Sequence, residues 1–260
     1  MSKPLITVVT STLNVEIEIP NLINSLQIQK YQNFEWLIID GGSNDKTLEK
    51  LNSISKANLI CSVKDNGIYD AWNKGLKVAK GEWVIFLGAD DELYDENVFK
   101  NFHDFTRNIS KDIEIIYGKV FSNNQIFGKE INNLKKEIIK YMCICHQATF
   151  HRNTLFKKLD LFNSNYKIGG DYEFLIRSLV KHNKLGIYFD ELVSKMGENG
   201  ISSNKKNGLF IAIEMYKARV DNDVFPITLK WTRHLIAGFY YKFLSIIEKI
   251  ILLFKNIFRY

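Results

Sequence analysis

The sequence predicts an α/β fold with a mostly parallel central sheet flanked by helices. Apolar runs typical of buried strands occur at residues 5–9, 36–39, 59–63 and 83–87, and helix-compatible segments separate them. This alternation is typical of βαβ units. Polar residues follow several of these runs, so we expect candidate ligand-binding groups at the carboxyl edge of the sheet.

Local signals place the other elements. The first helix is expected to begin near Pro20, because proline suits an opening turn. A second helix is expected over residues 69–78, ending before Lys80-Gly81. Residues 113–120 are expected to form a further strand, and residues 121–133 a polar loop.

Composition limits the class of protein. The chain has 260 residues, of which 46% are hydrophobic, so it can bury a full core and is not a disordered protein. Three cysteines (Cys61, Cys143 and Cys145) and the absence of a secretory leader predict a reducing, cytoplasmic location. Cys143 and Cys145 lack the second pair that a zinc site needs, so buried structural thiols are expected.

The net charge of +6 is concentrated in the last part of the chain. Residues 205–260 carry ten lysines and arginines against four acidic residues. Charged residues interrupt the apolar stretch after Trp231, so it is too short to span a bilayer. Residues 229–260 instead predict an amphipathic helix on an anionic membrane surface. The alternative is a helix packed on its own domain or on a second subunit, which would make a homodimer. Nucleic acid is not expected, because the apolar face has no role there.

The acidic pair Asp90-Asp91 directly follows the fourth predicted strand and the turn Gly88-Ala89. Carboxylates at this edge can chelate a divalent ion against a diphosphate. The alternative is a solvated turn, which acidic residues favour.

Two other strand ends carry polar residues. Thr10, Thr12 and Asn14 lie in a strand that runs into a hydroxyl-rich loop, where they are expected to contact a nucleotide. Asp40 ends the second strand and precedes Gly41-Gly42. Either this carboxylate binds a ligand or the segment is a tight turn with local capping.

Seven segments together resemble family 2 glycosyltransferases, which have the GT-A fold. The most specific are the Asp65 to Gly75 block and the block around His146-Gln147-Ala148. The complete set is residues 9–14, 39–45, 64–75, 88–91, 144–150, 169–173 and 197–202. The resemblance covers about the first 205 residues and favours the bacterial branch that assembles O-antigen and colanic-acid repeat units. It divides the chain into a GT-A domain (1–204) and a basic, membrane-associating tail (205–260).

The resemblance also implies roles for individual residues. Asp91 matches the position that binds Mn²⁺ or Mg²⁺, and Asp90 lies near the ribose. Nucleotide-sugar binding is implied for Asp70, Asn73 and Lys74. Trp72 lies beside them in the sequence, but it can equally be a residue of the hydrophobic core. Many relatives carry two acidic residues at the end of the second strand, but this chain has only Asp40, which is followed by Gly41.

The resemblance makes Asp171 the candidate general base of an inverting transfer, since such a reaction needs a carboxylate on the acceptor side. His146, Gln147 and Glu173 are expected on the acceptor or diphosphate side. Two of these have structural alternatives, because a lone histidine is often structural and Glu173 can pair with Arg177 along a helix. Residues 200–203 resemble a flexible segment over the donor, or can form the linker into the tail.

The implied activity is transfer of a sugar from a UDP-sugar, with N-acetylgalactosamine and glucose favoured. The implied acceptor is the 3-hydroxyl of N-acetylglucosaminyl-diphospho-undecaprenol, giving a β-1,3 linkage at the cytoplasmic face of the bacterial inner membrane. Two alternatives stay open: a nucleotidyltransferase, and a non-catalytic membrane-bound scaffold of a polysaccharide assembly complex.

Overall fold

The computed structural model describes residues 3–52, 54, 57–197, 200, 205–224 and 236. In this part of the chain, nine strands form one mixed sheet. The strands are β1 (Ile6–Thr12), β2 (Phe34–Asp40), β3 (Ala57–Ser62), β4 (Trp83–Phe86), β5 (Glu92–Leu93), β6 (Ile113–Ser122), β7 (Gln125–Phe127), β8 (Thr149–Arg152) and β9 (Leu185–Lys195). Their order across the sheet is β3-β2-β1-β4-β8-β6-β9-β5, and β7 pairs with the C-terminal end of β6.

Eight α-helices accompany the sheet in the described residues. They are α1 (Ile19–Gln27), α2 (Thr47–Asn52), α3 (Ile68–Val78), α4 (Val98–Thr106), α5 (Leu134–Ile138), α6 (Asn153–Lys158), α7 (Gly170–Leu175) and α8 (Gly208–Asp221). Short 3₁₀ turns lie at His146–Ala148 and Lys205–Asn207, and α7 continues into a π-helical segment, Ile176–Lys181.

The predicted α/β architecture is confirmed, with parallel pairing predominant. Strands β1, β2, β3 and β4 are parallel neighbours, whereas β8 runs antiparallel to both β4 and β6. Apolar side chains on the two sheet faces form two clusters, one containing Val9 and Phe86 and the other containing Val8 and Ile85. Successive side chains of β1 and β4 point to opposite faces of the sheet and enter both clusters, so both sheet faces are buried.

The predicted positions of the main elements agree with the structure to within a few residues. Pro20 lies in the first turn of α1, as expected. The prediction of a loop over 121–133 is wrong at its start, because β6 continues to Ser122 and turns into β7. Asn123 and Asn124 have φ values of 49° and 57°, which are typical of a tight hairpin turn that the Asn-Asn pair allows.

The C-terminal region begins as part of the folded body. Helix α8 packs against α7, and its Leu209, Ala212 and Ala218 are buried. Tyr166 donates a hydrogen bond to Asp221 at 2.8 Å. The first part of the predicted tail 205–260 therefore supports the preceding domain. The predicted amphipathic helix over 229–260 lies outside the described residues, apart from Ile236.

Among the described helices, none is both long enough and apolar enough to cross a membrane.

The three cysteines are free thiols and are partly buried. Burial raises the pKa of Cys145 to about 11, so its thiol stays protonated at neutral pH.

Candidate functional site

The acidic pair lies on the turn between β4 and β5. Asp91 is 3% exposed and accepts hydrogen bonds from the backbone N–H groups of Gly88 at 2.7 Å and Gly197 at 3.0 Å. Burial raises the pKa of Asp91, because a buried carboxylate loses solvation of its charge. A solvated turn is therefore excluded for Asp91.

A cavity of about 120 Å³ brings several predicted site residues together. Its walls come from the start of α3, the β4–β5 turn, the 3₁₀ turn at His146–Ala148, the start of α7 and the segment after β9. The lining includes five of the predicted residues: Asp90, Asp91, His146, Gln147 and Asp171. These residues are far apart in the sequence, and only the fold places them around one space.

His146 and Asp171 lie within hydrogen-bond distance of each other in this cavity. Nδ1 of His146 lies 3.2 Å from Oδ2 of Asp171. Burial opposes protonation of His146, but the hydrogen bond and charge of Asp171, with the charges of Asp91 and Asp90, raise its pKa above the ordinary value. His146 therefore contacts the candidate base directly, which the sequence did not indicate.

Tyr69 supports Asp171 from the other side. The Tyr69 hydroxyl lies 3.3 Å from Oδ1 of Asp171, and the backbone N–H of Tyr172 donates to the same oxygen at 2.8 Å. Burial and the charge of Asp171 raise the pKa of Tyr69 well above its usual value, so the phenol stays neutral. The Tyr69 hydroxyl also donates its one proton to the Ile168 carbonyl, so the Tyr172 N–H is the firm donor to Oδ1, while Oδ2 contacts His146.

Gly169 and Gly170 allow close packing of the chain just before Asp171. A Cβ atom at Gly170 would lie 2.8 Å from ring carbons of Tyr69. A Cβ atom at Gly169 would lie 3.1 Å from Cβ of Glu214. The two glycines therefore let the chain before Asp171 pack tightly against Tyr69 and α8.

Glu214 is a functional candidate that sequence reasoning missed. Its carboxylate, on α8, accepts hydrogen bonds from three consecutive backbone N–H groups: Lys167 at 2.7 Å, Ile168 at 2.8 Å and Gly169 at 2.7 Å. It is 6% exposed. Glu214 therefore fixes the segment that leads into Asp171. No motif marks this residue, since it lies beyond the segments that carry the family resemblance.

Glu173 is not among the described residues that line the cavity, and its predicted acceptor-side position stays a prediction. It is 4% exposed, and both carboxylate oxygens pair with the Arg177 guanidinium at 3.0 Å. Asn222 donates to Oε1 at 3.0 Å. The structural alternative is therefore the observed arrangement, with Glu173 holding α7 to the segment after α8.

Asp40 organises the loop that follows β2. It accepts hydrogen bonds from Thr12, from Ser62 and from the backbone and hydroxyl of Ser43. Burial opposes its charge, but these hydrogen bonds lower its pKa. Its side chain is fully buried, so the structure gives Asp40 a loop-forming role and not an open ligand contact.

Of the remaining N-terminal candidates, two are buried and one is exposed to solvent. The Thr10 hydroxyl accepts a hydrogen bond from the Trp36 indole at 3.0 Å in the core, so it does not face a ligand. Thr12 is buried beside Asp40. Asn14 is exposed, has a φ of 52°, and caps the neighbouring loop by accepting from the Asn44 N–H. Only Asn14 of these three is open to solvent.

Helix α3 begins after Gly67, whose φ of 118° favours glycine. On this helix Asp70 forms an ion pair with Lys74 at 3.1 Å, and neither residue lines the cavity. Asn73 donates to the Phe162 carbonyl and accepts from its N–H. The predicted residues of this helix thus contact each other or the protein backbone, and Trp72 lines the cavity while 2% exposed.

The acidic pair fits an open site for a hard cation. Each oxygen of Asp91 accepts one backbone N–H, and a carboxylate oxygen has a further lone pair. Mg²⁺ and Mn²⁺ suit one or two carboxylates with substrate phosphates as the other ligands. Among the described residues, no cluster of three His, Cys, Asp or Glu forms a closed cage. The residues present therefore fit an ion completed by a substrate.

A larger groove of about 890 Å³ lies at the opposite edge of the sheet, near the amino ends of β1, β2 and β4. Three of its charged residues are used internally: Arg152 pairs with Glu82 at 2.6 Å, and Glu35 accepts from Thr7 at 2.6 Å. The polar groups that can bind a ligand and an ion lie instead in the smaller cavity at the carboxyl edge, where parallel α/β sheets hold ligands.

The fold and the carboxylates at its carboxyl edge define a GT-A-like enzyme. The family "Glycosyl transferase family 2" matches residues 7–157, more than half of the chain. A PGL/p-HBAD biosynthesis glycosyltransferase of Mycobacterium bovis is 32% identical over 210 residues, covering 78% of this chain and 81% of the relative. The chain belongs to glycosyltransferase family 2, and it is a nucleotide-sugar-dependent glycosyltransferase.

Solved structures share the fold. S. aureus TarS 1-349 in complex with UDP-GlcNAc matches with a TM-score of 0.67 and 21% identity, over 92% of this chain and 72% of that chain. The mannosyltransferase PcManGT from Pyrobaculum calidifontis, in complex with GDP-Man and Mn²⁺, matches with a TM-score of 0.66 and 14% identity, over 92% and 70%. Family membership removes the nucleotidyltransferase alternative.

Proposed function

We propose that this chain is a metal-dependent, inverting glycosyltransferase that uses a UDP-sugar. The observation that carries the proposal is the placement of Asp91 and Asp171 in the walls of one cavity. A donor held at Asp91 and an acceptor held at Asp171 would meet there. The UDP-GlcNAc complex of TarS supports a UDP-sugar, and the Mn²⁺ complex of PcManGT supports a divalent ion.

In this mechanism Asp171 takes the proton from the attacking hydroxyl of the acceptor. The acceptor oxygen then bonds to the anomeric carbon as the bond to the nucleoside diphosphate breaks on the opposite face, which inverts the configuration. Among the described residues, Oδ2 of Asp171 has one hydrogen-bond partner, His146, and it keeps a lone pair for the hydroxyl. A divalent ion at Asp91 would supply positive charge against the departing diphosphate.

The proposed acceptor is N-acetylglucosaminyl-diphospho-undecaprenol, and its 3-hydroxyl would receive N-acetylgalactosamine or glucose in a β linkage. The motif resemblance to O-antigen enzymes and the basic residues of 205–260 support a lipid-linked acceptor. The enzyme would then work at the cytoplasmic face of the inner membrane, bound peripherally through residues 229–260.

The test is transfer by the full chain to a synthetic N-acetylglucosaminyl-diphospho-lipid. UDP-sugars and GDP-mannose are offered separately, with Mn²⁺ or with excess chelator. Metal-dependent product from one UDP-sugar supports the proposal, and NMR of that product reports the linkage and anomeric configuration. Transfer from GDP-mannose alone would overturn the UDP assignment.

Two variants give the test its controls. Asp91→Asn removes the candidate ion-binding charge, and we expect turnover to fall at least about 100-fold with the fold retained. Asp104→Asn, on the exposed surface of α4, should have wild-type turnover. A folded protein that transfers no sugar to any acceptor would favour the non-catalytic scaffold.

A further inference from the structure

We propose that Lys167 binds the negative charge of a substrate phosphate in the cavity that holds Asp91 and Asp171. The inference rests on the proposed function and adds a residue to which neither the motifs nor the family match assigns a role. Lys167 lines the cavity, and among its described lining residues it is the only lysine or arginine.

The side chain of Lys167 crosses between two walls of the cavity. Its backbone belongs to the segment before α7, and its Nζ donates to the carbonyl of Asn66 at 3.1 Å, just before α3. Asn66 is itself placed by its N–H, which donates to Asp70. The cation therefore lies at the rim between the start of α3 and the segment that carries Asp171.

The Lys167 ammonium group has a weak hydrogen-bond acceptor as its partner. Among the described residues, the Asn66 carbonyl is the one hydrogen-bond partner of Nζ, and Lys167 is exposed. Lys74, which the motif resemblance implied for donor binding, is instead paired with Asp70 at 3.1 Å and lies outside the cavity lining. A phosphate oxygen is a stronger acceptor for an ammonium than a neutral carbonyl, so Lys167 can exchange its partner for a substrate.

The backbone of Lys167 is held firmly although its side chain is exposed. Glu214 accepts from the N–H groups of Lys167, Ile168 and Gly169. These hydrogen bonds keep the backbone of Lys167, from which the side chain starts, fixed relative to Asp171, four residues later. A fixed origin lowers the entropy cost of placing the ammonium on a phosphate.

The charges in the cavity explain the need for such a cation. Asp90, Asp91 and Asp171 are acidic lining residues, and a nucleotide or lipid diphosphate adds further negative charge. A cation at Lys167 would offset part of that charge. The phosphate can belong to the donor or to a diphosphate-linked acceptor, since the chemistry is shared.

The experiment compares Lys167→Met with Lys167→Arg, and uses Lys157→Met as the control. Lys157 is exposed on α6 and lines the groove at the other sheet edge. Calorimetry with Mn²⁺ measures binding of UDP, GDP and uridine. If the donor phosphates are bound, Lys167→Met should weaken UDP or GDP binding on the order of 10-fold and leave uridine unchanged. Lys167→Arg should recover most of the affinity.

A second arm tests the acceptor phosphate by steady-state kinetics. If that phosphate is bound, Lys167→Met should raise the KM for N-acetylglucosaminyl-diphospho-lipid on the order of 10-fold. The KM for an alkyl N-acetylglucosaminide without phosphate should not change. Nucleotide affinity and acceptor KM that both equal the wild-type values would overturn the inference. Failure of the proposed function would appear differently, as wild-type protein that transfers no sugar.

Discussion

Nδ1 of His146 lies 3.2 Å from Oδ2 of Asp171, and this pairing joins two motifs separated along the chain. The other oxygen of Asp171 accepts from the Tyr172 N–H and lies 3.3 Å from the Tyr69 hydroxyl. The carboxylate is thus oriented from both sides. A base with a fixed orientation meets the geometric requirement for proton removal from a bound hydroxyl.

Replacing the candidate base should slow the chemical step. For Asp171→Asn we expect kcat to fall by about 10²–10⁴, because the amide cannot take the proton. The affinity for UDP, measured by calorimetry, should stay within about twofold. A variant with near-normal kcat would contradict the assignment, and an unchanged thermal midpoint confirms that the fold is intact.

The two side-chain partners of Asp171 should differ in their importance for catalysis. His146→Gln removes the partner of Oδ2, and we expect kcat to fall about 10-fold, since a charge-assisted hydrogen bond is lost. Tyr69→Phe removes the 3.3 Å contact to Oδ1 together with the hydrogen bond to the Ile168 carbonyl, and it should lower kcat less, because the donor that is lost is neutral. Steady-state kinetics on both variants tests this order, and an equal or reversed order would show that His146 does not position the base.

Glu214 should affect both stability and turnover, because it accepts three N–H groups of the segment before Asp171. For Glu214→Ala we expect a loss of about 1–3 kcal/mol in the free energy of unfolding. Its kcat should fall more than its donor KM rises, even well below the melting temperature. Glu214→Gln keeps one acceptor oxygen and should be intermediate.

The control for this prediction is Glu49→Ala, an exposed position on α2. It should match the wild type in unfolding and in kinetics. A Glu214→Ala protein that is destabilised but has wild-type kcat would limit Glu214 to a structural role.

His151 should make the fold sensitive to acid. It is 3% exposed among aromatic rings that include Phe156 and Phe174, and burial lowers its pKa to about 3. In the unfolded chain its pKa returns to 6.5. Between these two pKa values, His151 is protonated in the unfolded chain but neutral in the folded protein. The stability that comes from keeping His151 neutral and buried is therefore fully present above pH 6.5 and is lost as the pH falls.

We therefore expect the free energy of unfolding to fall by up to about 1.4 kcal/mol per pH unit from this group below pH 6.5. Denaturant unfolding between pH 7 and pH 4.5 measures the slope. The variant His151→Phe suits the aromatic surroundings and should flatten the dependence. A slope equal to that of the wild type would show that other groups cause the acid sensitivity.

The sequence by itself determined the α/β class and the positions of the main strands, because buried strands require apolar runs and their periodicity is local. It also indicated Asp90, Asp91, His146, Gln147 and Asp171, which the fold places around one cavity. Local pattern could not show that Glu173 turns away to Arg177, or that Thr10 faces the core. A side chain's neighbours depend on how distant elements pack.

Tertiary structure alone decided the roles of Glu214 and Lys167. Glu214 lies on α8, and its three hydrogen-bond donors are more than forty residues away in the sequence. Lys167 becomes a cavity residue only because its segment packs beside α3. Hydrogen bonds and charge interactions act over a few ångströms in space, so residues without a motif become part of the site when the chain folds.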